Sequence, residues 1–417
     1  MNHFQYKGTE LYAEDVAIKD IVAKVGSPVY IYSKATLERH FKAMDDAFAS
    51  APHTICYSVK ANSNLAVLKT FINLGGGVDI VSGGELFRAL KAGVDPKKVV
   101  YSGVGKRDDE IVYALESGIL QFNIESEQEL DRINEIAGRI GKRAGIALRV
   151  NPDVDPQTHP YITTGLKKAK FGINIERALS QYARAKEMAN IDIIGIDCHI
   201  GSQLTKVSPF VDTVKKLKRL IDGMRDMGID VKYLDLGGGL GIQYNDEAPP
   251  LPAEYGASIL AETKDLGLHL LFEPGRNLVG NAGILVGKCL YTKKGEEKNF
   301  VIVDAGMNDL ARPALYGSFH GVQPVLKDQD GVIEGDIVGP ICESGDFLVK
   351  DREFPNFKQG DLMAFMSAGA YGFTMSSNYN TRPRVAEVMV AGDKFEVVRE
   401  RETVEDLVRG EKIPSFL

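Results

Sequence analysis

Short apolar runs rich in β-branched residues recur through the first two thirds of the chain. They read TICYSV (54–59), GVDIV (77–81), KVVYS (98–102), ILQFNI (119–124), GIALRV (145–150), IIGIDCHI (193–200), VKYLDL (231–236) and LHLLFE (268–273). Each predicts a strand, and the segments between them carry helical period. Leu65, Leu68 and Ile72 fall at i, i+3 and i+7, as do Leu130, Ile133 and Ala137, and Val214, Leu217 and Ile221. Two helices carry start signals of the capping-box type, Ser82 with Glu85 and Ser126 with Glu129. Eight strand–helix alternations over roughly 220 residues predict an α/β fold, a (β/α)8 TIM-like barrel. An open doubly wound sheet would want a glycine fingerprint after its first strand, and YSVKAN is not one.

Beyond about residue 280 the pattern changes. AGILVGKCLYT, FVIVDAG, DLMAFM and VAEVMVAGDKFEVVRE read as strands separated by glycine turns, with little helical period. A second, C-terminal β-rich domain is expected there, joined by the leading segment near PVYIY (28–32). The expected division is 1–30 as a segment joining the β-domain, 31–278 as the barrel and 279–417 as the β-domain.

Length and charge narrow the functional classes. At 417 residues two domains are the natural expectation, and a net charge of −7 argues against a nucleic-acid partner. The 43 glycines point to many tight turns or to backbone lying close to a ligand. Cys56, Cys198, Cys289 and Cys342 form no CxxC, and the seven histidines show no paired ligand spacing, so no metal is expected. Reduced thiols, a charged N-terminus without an apolar core, and no apolar run of membrane length together predict a cytoplasmic protein.

In a barrel of this kind chemistry gathers at the carboxyl ends of the strands. Lys60 ends the first, Asp79 lies late in the second, Arg149 late in the fifth, and His199 ends the sixth. Gly237–Gly239 follow the seventh, and Glu273, Pro274, Gly275 and Arg276 close the eighth. Lys60 offers an amine for Schiff-base chemistry, and His199 offers a flat ring or an acid–base group. The glycine loop brings backbone N–H groups close to a phosphate. A carboxylate at the end of an apolar strand, Glu273, calls for a cationic partner such as a protonated pyridine nitrogen, and Arg276 suits a phosphate or carboxylate. In the second domain Cys342 and Glu343 lie beside glycines, a thiol being able to act as a general acid. Arg312, Tyr316 and Tyr371 complete the candidates; each alone has an ordinary structural explanation.

Taken in order, YSVKAN, DIVSGGEL, HIGSQ, DLGGGLGI, FEPGR, RPALY, CESGD and GAYG resemble the diaminopimelate decarboxylases, of the alanine-racemase-like, fold type III class of pyridoxal-phosphate enzymes. The resemblance runs from about Val29 to Val390, and no motif position departs from it. It implies pyridoxal 5'-phosphate as cofactor, with Lys60 forming the aldimine and His199 stacked on the ring. It implies that Asp79, Ser202, Gly239, the 273–276 segment and Tyr371 hold the cofactor, Glu273 at the pyridine nitrogen. Arg276, Arg312, Tyr316, Glu343 and Tyr371 would contact substrate, and Cys342 would donate the proton across a homodimer interface. The implied reaction takes meso-2,6-diaminopimelate to L-lysine and CO2, the last step of lysine biosynthesis.

The competing readings are a polyamine-type decarboxylase (ornithine, arginine or carboxynorspermidine) on the same scaffold, or a non-catalytic relative that binds a partner. Polyamine relatives place an aspartate after the cysteine, where Glu343 and Ser344 stand, and Arg312 is available for a distal carboxylate. A non-catalytic relative would have lost Lys60 or Cys342, and both are present.

Overall fold

The structure, a computed structural model, describes residues 2–155 and 170–417. It divides into two compact units, Glu38–Leu278 and Met1–Leu37 with Val279–Leu417.

Glu38–Leu278 is a closed barrel of eight parallel strands: His53–Ser58, Gly77–Ile80, Val99–Tyr101, Gln121–Ile124, Ala144–Asn151, Ile191–Asp197, Tyr233–Asp235 and His269–Phe272. Every strand pairs with its neighbour in the chain. The ring closes because Leu271 lies beside Thr54 while Ser58 lies beside Asp79. All eight predicted strands form, within a few residues of the expected ends. The sixth is shorter at its carboxyl end, because after Cys198 N–H bonds Asp235 O at 3.0 Å the chain leaves the ladder. His199 therefore stands two residues past the strand.

The intervening helices bury the predicted faces. Leu130, Ile133 and Ala137 are fully covered, as are Val214, Leu217 and Ile221. On Leu65–Asn73 the buried stripe is turned by about one residue, centring on Val67, Leu68 and Phe71. The two cap signals work differently at their acidic end. Ser82 and Ser126 accept the N–H of Glu85 and Glu129, but those glutamates reach back to Val81 N–H and Glu125 N–H, one residue earlier than a capping box requires.

Around the eighth strand, Phe272 stacks on Phe48 with centroids 4.0 Å apart, and Tyr255 meets both edge-on. Phe272 is fully buried and immediately precedes Glu273, so this aromatic cluster fixes where that strand ends.

The other unit is β-rich. Val29–Ser33 runs antiparallel to Gly283–Lys294 and parallel to Ala386–Ala391, so this strand crosses the expected boundary at residue 30. Asn299–Val303, Leu362–Phe365 and Lys394–Arg399 extend it, and Val29, Ile31, Ile284, Val286, Val388 and Val390 fill one core. Val332–Val338 and Phe347–Pro355 also pair here, and Phe4–Lys7, Glu10–Ala13 and Val16–Ala17 form a small separate sheet. The pattern of apolar runs did not reveal these strands, because their half-exposed faces carry Glu, Asp, Lys and Arg.

Truncating Phe272 to Ala should cost about 3–5 kcal/mol of unfolding free energy, as expected for deleting a packed aromatic core side chain. Urea denaturation checks this, and a loss below about 1 kcal/mol would mean the cluster does not hold the strand.

Candidate active site

Lys60 sits in a single 3-10 turn, Val59–Ala61, directly after the first strand. Val59 and Ala61 are both buried and pin the turn, leaving the lysine stem half-exposed. Its Nζ donates to Asp79 Oδ2 at 2.8 Å, and Asp79 is fully buried. Ser58 laces the neighbouring strand ends together. Its Oγ lies 2.8 Å from Asp79 Oδ2 and 2.9 Å from Glu273 O, and its N–H bonds Pro274 O at 3.1 Å.

Glu273 is 5% exposed. Asn123 Nδ2 donates to its Oε1 at 3.2 Å and Ser102 Oγ lies at the same distance. Gln121 Nε2, 2.7 Å from Asn123 Oδ1, fixes which way that amide points. Carboxylate oxygens of Asp197, Asp235 and Glu273 lie within 4.8 Å of one another. Burial, then neighbouring Asp235, Asp79 and Asp197, push the Glu273 carboxyl well above its ordinary range. Burial and Asp235 do the same to Asp197, against the pull of Arg149. Asp235 is pushed up to about 6, mainly by burial, with Gly237 N–H opposing the shift from 3.0 Å. The cluster thus favours its protonated forms, and Arg149, in a buried ion pair with Glu125 at 2.6 Å, adds positive charge on the Asp197 side.

His199 Nδ1 accepts the Gly238 N–H at 3.2 Å. Burial, with Arg149 and Lys60 adding to it, lowers its basicity far below that of a free imidazole, so the ring is neutral. The glycine loop behind it has space for backbone alone. A Cβ on Gly238 would lie 2.2 Å from Glu273 O, and one on Gly239, at φ +116, would lie 2.5 Å from Gly201 O. Arg276 opens the short helix Arg276–Val279, with Nη1 donating to Tyr244 Oη at 2.6 Å and Nη2 to Ser202 Oγ at 3.2 Å. Lys60, Asp79, His199, Ser202, Gly239 and the 273–276 segment are thus gathered at the carboxyl ends of the barrel strands.

These residues fit a pyridoxal phosphate. The set combines a half-exposed amine, a flat neutral ring, a buried carboxyl for a protonated ring nitrogen, and a cradle of glycine backbone with Arg276 and Ser202 for an anion.

The remaining candidates belong to the β-rich unit. Arg312, 5% exposed, starts the short helix Arg312–Tyr316, which Gly317 ends in the left-handed region. Cys342 and Glu343 are exposed in the turn between Val332–Val338 and Phe347–Pro355; the other three cysteines are buried. The turn is tied at both sides of the thiol. Asp346 accepts the N–H of Ile341 at 2.6 Å, and Asn380 Oδ1 accepts that of Cys342 at 2.7 Å. Tyr371 takes φ +55, a conformation strained for a side chain of its size.

Sequence reasoning missed Asn123, Ser102, Asp197, Asp235 and Tyr244. For the two aspartates a signal existed: each is a charged residue near the carboxyl end of an otherwise apolar run, in IIGIDCHI and VKYLDL. Asn123, Ser102 and Tyr244 had none, since isolated polar residues at strand and loop ends are ordinary.

The profile of the family "Pyridoxal-dependent decarboxylase, pyridoxal binding domain" matches residues 34–280. The chain is 52% identical over 413 residues to a diaminopimelate decarboxylase of Pseudomonas aeruginosa, covering 99% of each. It is 53% identical over 409 residues to that of Vibrio cholerae, covering 98% of each. The crystal structure of a diaminopimelate decarboxylase from M. jannaschi superposes with a TM-score of 0.94 at 36% identity, covering 100% of this chain and 99% of that one. That of the Helicobacter pylori enzyme complexed with L-lysine gives 0.91 at 41% identity, covering 94% and 98%.

The buried carboxyls carry a pH signature. Their raised affinities mean that the folded chain keeps protons the unfolded chain has released. Their contribution is therefore least unfavourable below the ordinary carboxyl range near pH ~4 and worsens as pH rises through it. For Asp235 the penalty is complete above about 6. In cofactor-free protein, Asp235→Asn should gain stability relative to the parent as pH rises across that window. Urea midpoints of both proteins at each pH check it, and a difference that stays flat or reverses sign refutes the shared-proton account.

Proposed function

We infer that this chain, which belongs to the pyridoxal-dependent decarboxylases and among them to the diaminopimelate decarboxylases, converts meso-2,6-diaminopimelate to L-lysine and CO2 with Lys60 and Cys342 as its working amine and acid. The observation that carries the assignment is the buried Glu273 carboxyl among other carboxyls, at the same end of the barrel as a neutral ring, His199, and a half-exposed amine, Lys60. Such a carboxyl suits a protonated ring nitrogen and little else of biological size.

When bound, pyridoxal 5'-phosphate supplies a protonated ring that accepts the electrons left behind as CO2 departs. Lys60 would hold it through Nζ, with Asp79 2.8 Å away accepting a hydrogen bond from that nitrogen. His199 would lie against its ring, and the neutral imidazole adds no charge that would compete with the ring nitrogen for Glu273. Gly239, Ser202 and Arg276 would hold its phosphate, and Tyr371 would contribute from the β-rich unit. Lys60 Nζ, half-exposed at the barrel mouth, would be the amine that yields its place to the substrate amine and reclaims it at product release.

Arg312 and Arg276 grip the carboxylate that the substrate keeps, as planar bidentate donors suit. Glu343 meets the distal ammonium, and Tyr316 and Tyr371 line the substrate. Cys342 Sγ returns a proton to the carbon that has lost CO2. Its exposed position on a turn supports a donor that works in another copy's site, so we propose a homodimer with shared sites. Four free thiols support a cytoplasmic location, and no helix among the described residues is long and apolar enough to cross a membrane.

Lys60→Ala should abolish turnover and the visible absorbance of the bound cofactor; retained turnover would defeat the mechanism. Cys342→Ala should keep the absorbance yet lose about 10²–10⁴ in turnover, the usual worth of a positioned proton donor. Substrate choice is read from CO2 release with meso-diaminopimelate against ornithine, arginine and lysine. A preference for ornithine would overturn the roles given to Arg312 and Glu343.

A further inference from the structure

Arg312 is held by a histidine to which no part of the reaction has yet been given. Its Nη1 lies 2.9 Å from His320 Nε2, and His320 Nδ1 lies 2.8 Å from Met366 O. A guanidinium only donates and a carbonyl only accepts. His320 must therefore accept at Nε2 and donate at Nδ1, which is one neutral tautomer and no other. A doubly protonated ring would set an N–H against an N–H and a cation against a cation.

The ring has no freedom to depart from this arrangement. His320 is fully buried, and Arg312 is 5% exposed. The residues on each side are tied to the sheet: Met366 N–H bonds Gly321 O at 2.8 Å, and Val322 pairs with Phe365. The His320 carbonyl accepts Arg352 Nη2 at 2.8 Å, and that guanidinium lies over the Phe319 ring at 4.0 Å. At its own end Arg312 is carried by a five-residue helix, too short to orient a long side chain by itself. The direction of the guanidinium is thus set by an acceptor outside its helix.

We propose that His320 is a positioning residue for substrate binding: as a neutral imidazole in a single tautomer, it aims Arg312 at the carboxylate that the substrate keeps. The inference rests on the reading of Arg312 as the carboxylate grip. Losing the acceptor removes the bond that aims Nη1, which weakens carboxylate binding without touching the reacting atoms.

Two isosteric replacements separate this role from a merely structural one. In His320→Gln the amide oxygen reaches the place of Nε2 and can accept from Arg312; in His320→Asn the amide reaches only the place of Nδ1 and can anchor to Met366. In the holoenzyme, His320→Gln should hold KM for meso-diaminopimelate within about threefold, whereas His320→Asn and His320→Leu raise it about 10- to 100-fold with kcat little changed. Inhibition by L-lysine, which has one carboxylate, should weaken in step with KM, while inhibition by cadaverine, which has none, stays constant. Rescue by Asn but not by Gln, or an unchanged KM in all three, overturns the proposal. Arg312→Ala is the companion measurement. An unchanged KM there overturns the grip reading and this inference with it, whereas a raised KM beside a flat His320 series overturns this inference alone. Should the variants fail to fold, neutron diffraction from the unmutated holoenzyme decides: a deuteron on Nδ1 alone is expected, and one on Nε2 overturns the proposal.

Discussion

A carboxyl buried among carboxyls governs the barrel unit. Glu273 directly follows the eighth strand with Asp235 and Asp197 close by, and its side-chain hydrogen bonds come from the neutral Ser102 and Asn123. Placed there, it can exist only as part of a proton-sharing group or opposite an incoming cation. The surrounding structure is arranged to tolerate this. Asn123 is oriented by Gln121 and donates to Glu273, Gly237 N–H donates to Asp235, and Arg149 faces the group from its ion pair with Glu125. Phe272 and the aromatic rings against it hold the strand end on which the carboxyl sits.

The same arrangement supports the protonated nitrogen heterocycle proposed for the site. A ligand that brings its own positive charge relieves repulsion already present in the protein, so part of the cost of binding is met before any phosphate or amine contact forms. His199 contributes by staying neutral: a charged ring would compete for the carboxyl and repel the incoming nitrogen. The glycine loop contributes by geometry, since its backbone passes so close to Glu273 and Gly201 that no side chain fits between them. In the proposed function, electrostatics selects the ring, and the loop admits the anion beside it.

The barrel was legible because its strands are continuous apolar runs, and such runs are written in the residues themselves. The Leu65–Asn73 stripe was off by one position, and the sixth strand stopped before His199, because neighbours in space decide where a ladder ends. The β-rich unit was legible only in part: Val332–Val338 and Phe347–Pro355 are half-exposed, and their mixed polarity hid them. Within the site, Lys60, His199, Glu273 and Arg276 stood out through strand-end position and motif. Asn123, Ser102 and Tyr244 became visible only once distant segments met, since their significance lies in what they touch. His320 belongs with these, for the tautomer that gives it meaning depends on Met366, 46 residues away.

The distribution of cysteines has a practical consequence. Cys56, Cys198 and Cys289 are buried, with burial pushing each thiol up, and Cys342 alone is exposed. In the separated chain a thiolate-seeking reagent therefore meets one addressable atom. Without any engineered handle, a fluorophore or spin label attached there would report on the Cys342 turn and nothing else, making that turn a natural vantage point for following assembly in real time.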